Sequence, residues 1–175
     1  LAGGDIGWAK RKRQAKFRDS NSRYVNIPDK ICEKGWFGQK SGRGFYRYDK
    51  GNTKGDKDPE VLEIIEREIQ NKGIIKRKFT QEEIIRRYMA AMINESANVL
   101  YDKIALRPSD IDITKINGYG FPRYKGGPMK YADNYGLDNI LNDLKAFGLE
   151  QSNFWKPSPL IIELVKKGNN FNSLN

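Results

Sequence analysis

The sequence contains no histidine and only one cysteine, Cys32, among its 175 residues. Without an imidazole the chain lacks the commonest general base, the hydrolase triads and the usual zinc ligands. A single thiol can form neither an internal disulfide nor a structural zinc site, and it favours a reducing compartment. No apolar run approaches the roughly 18 residues that a membrane span requires. We therefore expect no membrane span, no metal site and no histidine-based catalysis.

Positive charge is concentrated at the start of the chain. The net charge is +10, and residues 1–50 hold thirteen Lys/Arg against five Asp/Glu, most densely from Lys10 to Arg18. With the aromatic stretch "RGFYRY" (Arg43 to Tyr48), this predicts a nucleic-acid-binding module as one alternative. A solvated helix face is the simpler explanation of the basic run, and packing against the following helices is the simpler explanation of the aromatics. We favour these simpler interpretations.

Start and stop signals predict helices, and no strand alternation is visible after residue 50. Asp58 can cap a helix whose first residue is Pro59, and the stretch Lys50–Asp58 before it has the composition of a linker. Thr80 and Glu83 form a capping box that opens the longest helix, which we expect to run to about Lys103. Further start residues or closing glycines occur at Pro108, "PMKYADNYG", "LDNILNDLKAFG" and "SPLIIELVKKG". The predicted fold class is all-α, preceded by an irregular arm rich in glycine and aromatics.

The longest predicted helix has two distinct faces. Large apolar residues share one face, and small or polar residues line the opposite one. The first set is Ile85, Tyr88, Met89, Met92, Ser96, Val99 and Leu100, and the second is Ala90, Asn94, Ala97 and Tyr101. This pattern predicts a central helix that is buried from two directions. Glu95 lies at the edge of the apolar face, where we expect a carboxylate paired with a basic side chain or with backbone groups rather than a general base.

Two glycine pairs resemble the beginning of a dinucleotide-binding motif. Gly42 and Gly44 form one pair, and Gly118 and Gly120 form the other. In each case arginine stands where the third glycine of the fingerprint belongs, and neither pair follows a strand in a βαβ unit. The letters of "GQKSG" stand in the wrong order for a phosphate-binding loop. The sequence therefore predicts no nucleotide site.

Three motifs, in this order, resemble the C-terminal part of the bifunctional enoyl-CoA hydratase/3-hydroxyacyl-CoA dehydrogenases of fatty-acid β-oxidation. They are "GWFGQKSGRGFYRYD", "MINESANVLYDKIALRPSDID" and "GYGFPRYKGGPMKYAD". The resemblance runs across nearly the whole chain. It implies that residues 1–58 are the end of a first helical dehydrogenase domain plus a linker. Residues 59–175 would then be the second helical domain, a degenerate copy that packs against the first.

The resemblance also implies which functions lie outside this chain. The complete enzymes hydrate enoyl-CoA and oxidise L-3-hydroxyacyl-CoA with NAD, and their glycine fingerprint and catalytic histidine belong to a domain that this sequence does not contain. We expect a fragment that is inactive alone, that binds no cofactor, and whose partners are the preceding dehydrogenase and hydratase domains. Asn94 is interpreted as vestigial, and Glu95 is the only other candidate catalytic residue. No nucleic acid is expected, and the cytoplasm is the default location because the end "NSLN" is no peroxisomal S-K-L address.

The stretch from Gly118 to Asp133 is predicted to be an architectural loop. Its glycines allow tight reversals between short helices, and its prolines stiffen them. Its aromatics, Tyr119, Phe121, Tyr124 and Tyr131, are expected to fold back onto the long helix. The residues assigned to this loop are Gly118, Gly120, Phe121, Pro122, Gly126, Gly127 and Pro128.

Overall fold

The structure is a computed structural model that describes residues 2–19 and 24–175. The chain divides into two compact units, Leu1–Arg77 and Lys78–Asn175. Within the described residues the regular structure is eight α-helices, four short 3-10 turns and one two-stranded hairpin. The all-α fold class is therefore confirmed. None of the helices in the described part of the chain is long and apolar enough to cross a membrane.

The first unit is built around three helices. They are α1 (Gly4–Gln14), α2 (Ile27–Glu33) and α3 (Pro59–Asn71), with 3-10 turns at Ala15–Phe17 and Gln39–Ser41. Helix α2 packs against both α1 and α3. Its Ile31 and Cys32 are buried, together with Val61 of α3. The core of this unit is consequently small.

A short hairpin occupies part of the predicted linker. Strand β1 (Tyr46–Arg47) pairs antiparallel with β2 (Asp56–Lys57). The side-chain oxygen of Asn52 accepts hydrogen bonds from the backbone of Lys54 and Gly55, each at 3.1 Å, and Gly55 adopts a φ of 74°. These local interactions close the turn. The sequence showed no strand alternation after residue 50, because two-residue strands leave none to detect.

The predicted start of α3 is confirmed and has a second role. The Asp58 side chain accepts a hydrogen bond from the backbone N–H of Glu60 at 3.1 Å, and Pro59 is the first helical residue. The guanidinium of Arg43 donates to the same carboxylate at 2.5 and 2.9 Å and stacks over the ring of Trp36. Because Arg43 hydrogen-bonds the charged form, the pKa of the buried Asp58 is held below its usual value. One carboxylate therefore caps the helix and fixes the arm before it.

The second unit consists of five helices around α4. They are α4 (Gln81–Tyr101), α5 (Pro108–Tyr119), α6 (Pro128–Tyr135), α7 (Leu137–Gly148) and α8 (Pro159–Lys167), followed by a 3-10 turn at Phe171–Leu174. Thr80 caps α4 as predicted, because its hydroxyl accepts from the N–H of Glu83 at 3.1 Å. Helix α4 packs against α6, α7 and α8, while α5 packs against α6. The core formed in this way includes Ile93, Met129, Ile140, Leu144, Phe147, Ile161, Leu164 and Phe171.

Helix α4 is buried on its small side. Ala90 and Ala97 have no exposed surface, because small residues let the neighbouring helices approach closely. The large apolar side is only partly covered, since Met89 and Ser96 are buried but Ile85 remains 47% exposed and Tyr88 63% exposed. Our expectation of burial from two directions was therefore wrong for Ile85 and Tyr88. The described part of the unit leaves this stripe of the helix open.

Candidate functional site

The uncovered side of α4 opens onto a long apolar groove. Two adjoining cavities, of about 790 and 540 Å³, lie between α4, α5 and the loop that follows α5. Both are lined by Tyr88, Met92, Lys115 and Tyr119, so they form one continuous depression, which we call the α4–α5 groove. Its other lining residues are mostly apolar or aromatic, among them Ile85, Ala91, Val99, Ile104, Leu106, Phe121 and Tyr124.

The sequence builds this groove through helical spacing. Ile85, Tyr88, Met92, Glu95 and Val99 follow one another at intervals of three and four residues, so they share one stripe of α4. This narrow 3-4 stripe is typical of a seam at which two helices pack. At the end of the groove, Ile104 is 75% and Leu106 85% exposed. A contiguous apolar surface of this kind marks an interaction site.

Four charged residues line the groove, Glu95, Asp110, Lys115 and Lys125, and in the described structure only Asp110 has an ion-pair partner. Asp110 pairs with Arg107 at 2.8 Å. The ammonium group of Lys115 lies 4.7 Å from the ring centroid of Tyr119. Glu95 is exposed, and the only hydrogen bond shown for it comes from Asn98 at a long 3.4 Å. We expected Glu95 to pair with a basic side chain or with backbone groups, and in the described chain its carboxylate meets only the Asn98 amide.

Asn94 lies on the opposite, core-facing side of α4. Its side-chain N–H donates to the backbone carbonyl of Lys156 at 2.9 Å, and its oxygen accepts from the buried N–H of Ser158 at 2.7 Å. The amide therefore fastens the segment that leads into α8 to the central helix. Both polar ends of the side chain are satisfied by backbone groups, as expected of a buried amide.

The glycine-rich loop after α5 has the backbone conformations that its sequence predicts. Gly120 ends α5 with a φ of 69°, and Gly126 and Gly127 have φ values of 76° and 100°, which other residues rarely adopt. Pro128 is buried at the first position of α6, whereas Gly118 remains helical and Pro122 is exposed. The four aromatic side chains of the loop, however, differ in burial. Phe121 and Tyr131 pack against the core, but Tyr119 is 74% and Tyr124 85% exposed. The prediction that all four fold back onto α4 was wrong for these two tyrosines.

Two carboxylates that the sequence analysis missed hold this region together. Asp112 accepts hydrogen bonds from the backbone of Met129 at 2.7 Å and of Lys130 at 3.1 Å, at the start of α6. Burial raises the pKa of Asp112, which these hydrogen bonds oppose. The buried Asp143 forms an ion pair with Arg86 and accepts a hydrogen bond from the hydroxyl of Tyr135. Their partners lie 17 and 57 residues away in sequence, so no local signal could reveal them.

The residues present do not fit NAD. Gly118 and Gly120 lie at the end of α5, and Gly42 and Gly44 lie in a bridged turn, so neither pair connects a strand to the start of a helix. A dinucleotide's pyrophosphate needs the N–H groups at such a helix start. No cluster of three or more potential metal ligands occurs in residues 2–19 and 24–175 either. The groove thus offers apolar contact and three charges without an ion-pair partner in the described chain, Glu95, Lys115 and Lys125.

Several residues of the basic run and of the aromatic stretch have partners within the first unit. Arg11 pairs with Asp29 at 2.6 Å, and Lys12 and Arg18 lie over the rings of Trp8 and Tyr24. In the second stretch, Arg43 is engaged by two carboxylates, while Phe45 and Tyr46 are about half exposed. Contacts of this kind are typical of a packed surface.

Comparison with known proteins places the chain in a family. Residues 84–172 match the model for the 3-hydroxyacyl-CoA dehydrogenase, C-terminal domain, and the chain belongs to this family. The peroxisomal bifunctional enzyme of Danio rerio is 42% identical over 96% of this chain and 25% of its own length. The human enzyme of the same name is 37% identical over 97% of this chain and 25% of its own length. A peroxisomal fatty acid beta-oxidation multifunctional protein of Arabidopsis thaliana is 32% identical, over 96% and 24% respectively.

A solved structure supports the same fold. The dehydrogenase part of multifunctional enzyme 1 from C. elegans superimposes with a TM-score of 0.67 at 23% sequence identity, covering 92% of this chain and 36% of that one. The resemblance to this family that the sequence indicated is therefore confirmed, and the comparisons give no support to a nucleic-acid-binding module. The chain spans about a quarter of the length of the curated relatives it matches.

Proposed function

We propose that this chain is the C-terminal helical part of a multifunctional fatty-acid β-oxidation enzyme. The longer enzyme would oxidise L-3-hydroxyacyl-CoA to 3-ketoacyl-CoA with NAD and would also hydrate enoyl-CoA. The family match and the names of the relatives support this assignment. Residues 1–58 would close a first helical dehydrogenase domain and lead into a second at 59–175. The family model begins at residue 84, within the second compact unit.

Within that enzyme, the chain would brace the dehydrogenase domain and would contribute no catalytic residue. The observation that supports this role is the α4–α5 groove, since an apolar face of this extent is typical of a surface that another part of the protein covers. A rigid support of this kind keeps a neighbouring active site in register. The preceding part of the enzyme, which contains the rest of the dehydrogenase, would be the partner that covers it.

The candidate catalytic residues fit a structural role better than a chemical one. Both ends of the Asn94 amide are bonded to backbone groups in a buried contact, so a substrate would have to displace them. We therefore interpret Asn94 as structural. The loop glycines Gly120, Gly126 and Gly127 would serve the architecture of the same unit. NAD supplies hydride acceptance when bound, and in this proposal it binds in the preceding part of the enzyme.

The names of the relatives also bear on the cellular compartment of the longer enzyme. The cytoplasm was the expectation from the sequence, but the animal and plant relatives are named as peroxisomal proteins. We propose the peroxisome on this ground. A fluorescently tagged longer enzyme should coincide with a peroxisomal marker, and a diffuse cytoplasmic signal would restore the earlier expectation.

The proposed role is tested by one substitution in two contexts. Met92→Glu should leave the melting temperature of the 175-residue chain unchanged within error, because Met92 lies in the open groove. In the longer enzyme the same change should lower hydroxyacyl-CoA-dependent NADH formation at least about tenfold, because it places a charge in a covered apolar contact. Ile113→Glu is the matched control, since Ile113 is 58% exposed on α5 and does not line the groove.

Three results would count against the proposal. The first is a longer enzyme that keeps full activity and stability with Met92→Glu. The second is NADH formation by the 175-residue chain alone, since the chain has no histidine to serve as the base. Equal losses from Met92→Glu and Ile113→Glu would show a general effect of added charge and would also count against the groove.

A further inference from the structure

Glu95 differs from the buried carboxylates of the chain. Asp58 is bonded by Arg43, Glu68 accepts from the backbone and side chain of Asn26, and Asp143 is bonded by Arg86. Each of these carboxylates has a donor within its own unit. Glu95 has only the long contact with Asn98, although it lies in the middle of the apolar stripe of α4. The groove therefore contains a negative charge that the described chain does not neutralise.

Closing the groove would place this charge in apolar surroundings. Met92 and Val99 lie one helical turn before and after Glu95 on the same stripe, and Ile104 and Leu106 line the same cavity. An ionised carboxylate transferred to such surroundings without a partner is strongly destabilising, whereas a hydrogen-bonded cation offsets much of that cost. A partner that packs stably over the apolar part of the groove must therefore supply a hydrogen-bond donor next to Glu95.

A second charge gives the groove a polarity. Lys115 of α5 lines both cavities, and its ammonium group contacts only the ring of Tyr119 among the interactions shown for it. Asp110 lines the same groove but is already paired with Arg107. The wall formed by α4 thus presents a negative charge and the wall formed by α5 a positive one, neither with a counter-charge in the described chain. The loop after α5 adds a second cation, Lys125, whose ammonium group lies near the rings of Tyr124 and Tyr131.

We propose that the groove is closed by a helix of the preceding dehydrogenase part of the enzyme, and that this helix carries a Lys or Arg opposite Glu95 and an acidic residue opposite Lys115. This inference rests on the proposed function and adds the chemistry of the partner. A helix is the occupant that fits, because the stripe from Ile85 to Val99 is about 21 Å long and has the 3-4 spacing of a helix seam. The ion pair then selects this helix and fixes its register, because a shifted helix would leave both charges buried and unpaired.

Oxidation of Met92 by dilute hydrogen peroxide measures closure of the groove. The chain has three methionines, of which Met89 and Met129 are buried and Met92 lines the open groove. Thioether oxidation is slow and requires access, so its rate follows the open fraction. In the longer enzyme, peptide mass spectrometry should find Met92 protected relative to the 175-residue chain. Lack of protection would overturn the proposed function and this inference together.

Substitution of Glu95 then tests the charge pair separately. In the longer enzyme, Glu95→Lys should speed Met92 oxidation roughly 30-fold or more, the effect of breaking a buried charge pair, and Glu95→Gln should have a smaller effect in the same direction. In the 175-residue chain both variants should oxidise Met92 and melt like the parent, because Glu95 is exposed and unpaired there. Protection that persists in both variants would overturn the inference and leave the proposed function standing.

Charge reversal identifies the partner residue. In the Glu95→Lys enzyme, each Lys and Arg of the preceding dehydrogenase part is changed to Glu in turn, and one of these changes should restore slow Met92 oxidation and dehydrogenase activity together. Failure of every reversal would overturn the proposed cation. If Met92 is protected only at high protein concentration and the 175-residue chain is itself a dimer, a second copy of the chain occupies the groove. That result would overturn the inference as well.

Discussion

The two compact units hold together by different means. Among the described residues, the first unit buries three hydrophobic side chains, Ile31, Cys32 and Val61, whereas the second buries sixteen in one cluster. The first unit compensates with charged contacts, among them Arg43 with Asp58 and Trp36. A chain with few buried apolar groups depends more on polar geometry. We therefore expect the two units to respond differently to cavities, strain and pH.

The largest expected effect is a cavity in the second unit. Phe171 is fully buried in the 3-10 turn at the end of the chain. Phe171→Ala should lower the free energy of unfolding of this unit by about 3–5 kcal/mol, because the surrounding helices can relax only partly into the space. Hydrogen exchange resolved by peptide measures each unit separately. Leu149→Ala, at a side chain that is 91% exposed, should change the same quantity by less than about 0.5 kcal/mol.

Two glycines of the same loop should differ in their tolerance to a methyl group. A Cβ on Gly127 would lie 2.3 Å from the carboxylate oxygen of Asp112, whereas a Cβ on Gly120 would meet nothing within 4 Å. Gly120→Ala should therefore cost only the left-handed strain, about 1–2 kcal/mol. Gly127→Ala should cost about 3 kcal/mol, because Asp112 must also give up its hydrogen bonds to α6. If denaturant titrations gave equal losses of unfolding free energy for Gly120→Ala and Gly127→Ala, the Asp112 carboxylate would have moved aside at little cost.

A smaller loss should follow removal of the Asn94 amide. Asn94→Ala leaves the carbonyl of Lys156 and the N–H of Ser158 without their partner, so we expect about 2 kcal/mol of destabilisation. Asn134→Ala, at an exposed position of α6, should be neutral in the same assay. In the longer enzyme, kcat at a permissive temperature should remain close to that of the parent. A loss of kcat without a loss of stability would instead make Asn94 a functional residue.

The smallest expected effect is a difference in the response to acid. Arg43 lowers the pKa of Asp58. The ionised carboxylate therefore stabilises the first unit above the unfolded pKa of about 4, and this stabilisation is lost as the pH falls through the folded pKa. Burial raises the pKa of Asp112, so its contribution has the opposite sign: it is present at low pH and is lost as the pH rises through the raised folded pKa. Hydrogen exchange below about pH 4 should open the first unit before the second. Asp58→Asn should weaken the pH dependence of the first unit without abolishing it, because the pKa values of Asp5, Asp29 and Glu60 are lowered as well.

The sequence predicted local features well and distant ones poorly. Thr80 and Pro108 marked helix starts correctly, because caps and prolines act within a few residues of the chain. The spacing of Ile85 and Tyr88 showed which face of α4 is apolar, but a period cannot show whether anything in the chain covers that face. For the same reason it could not show that the Glu95 carboxylate meets only the Asn98 amide in the described chain. Asp112 and Asp143 were missed because tertiary structure alone brings their partners to them.

The two sides of α4 also separate two kinds of evolutionary constraint. Larger side chains at Ala90 or Ala97 would collide with neighbouring helices, so a screen that scores folding of the 175-residue chain would reject them. The same screen would accept changes at Tyr88 and Met92, whose side chains border open space. Such a map of tolerated substitutions would record the inner side of the helix as constrained and the outer side as variable. In the full-length polypeptide both sides would be under selection, and the difference between the two maps would outline the contact.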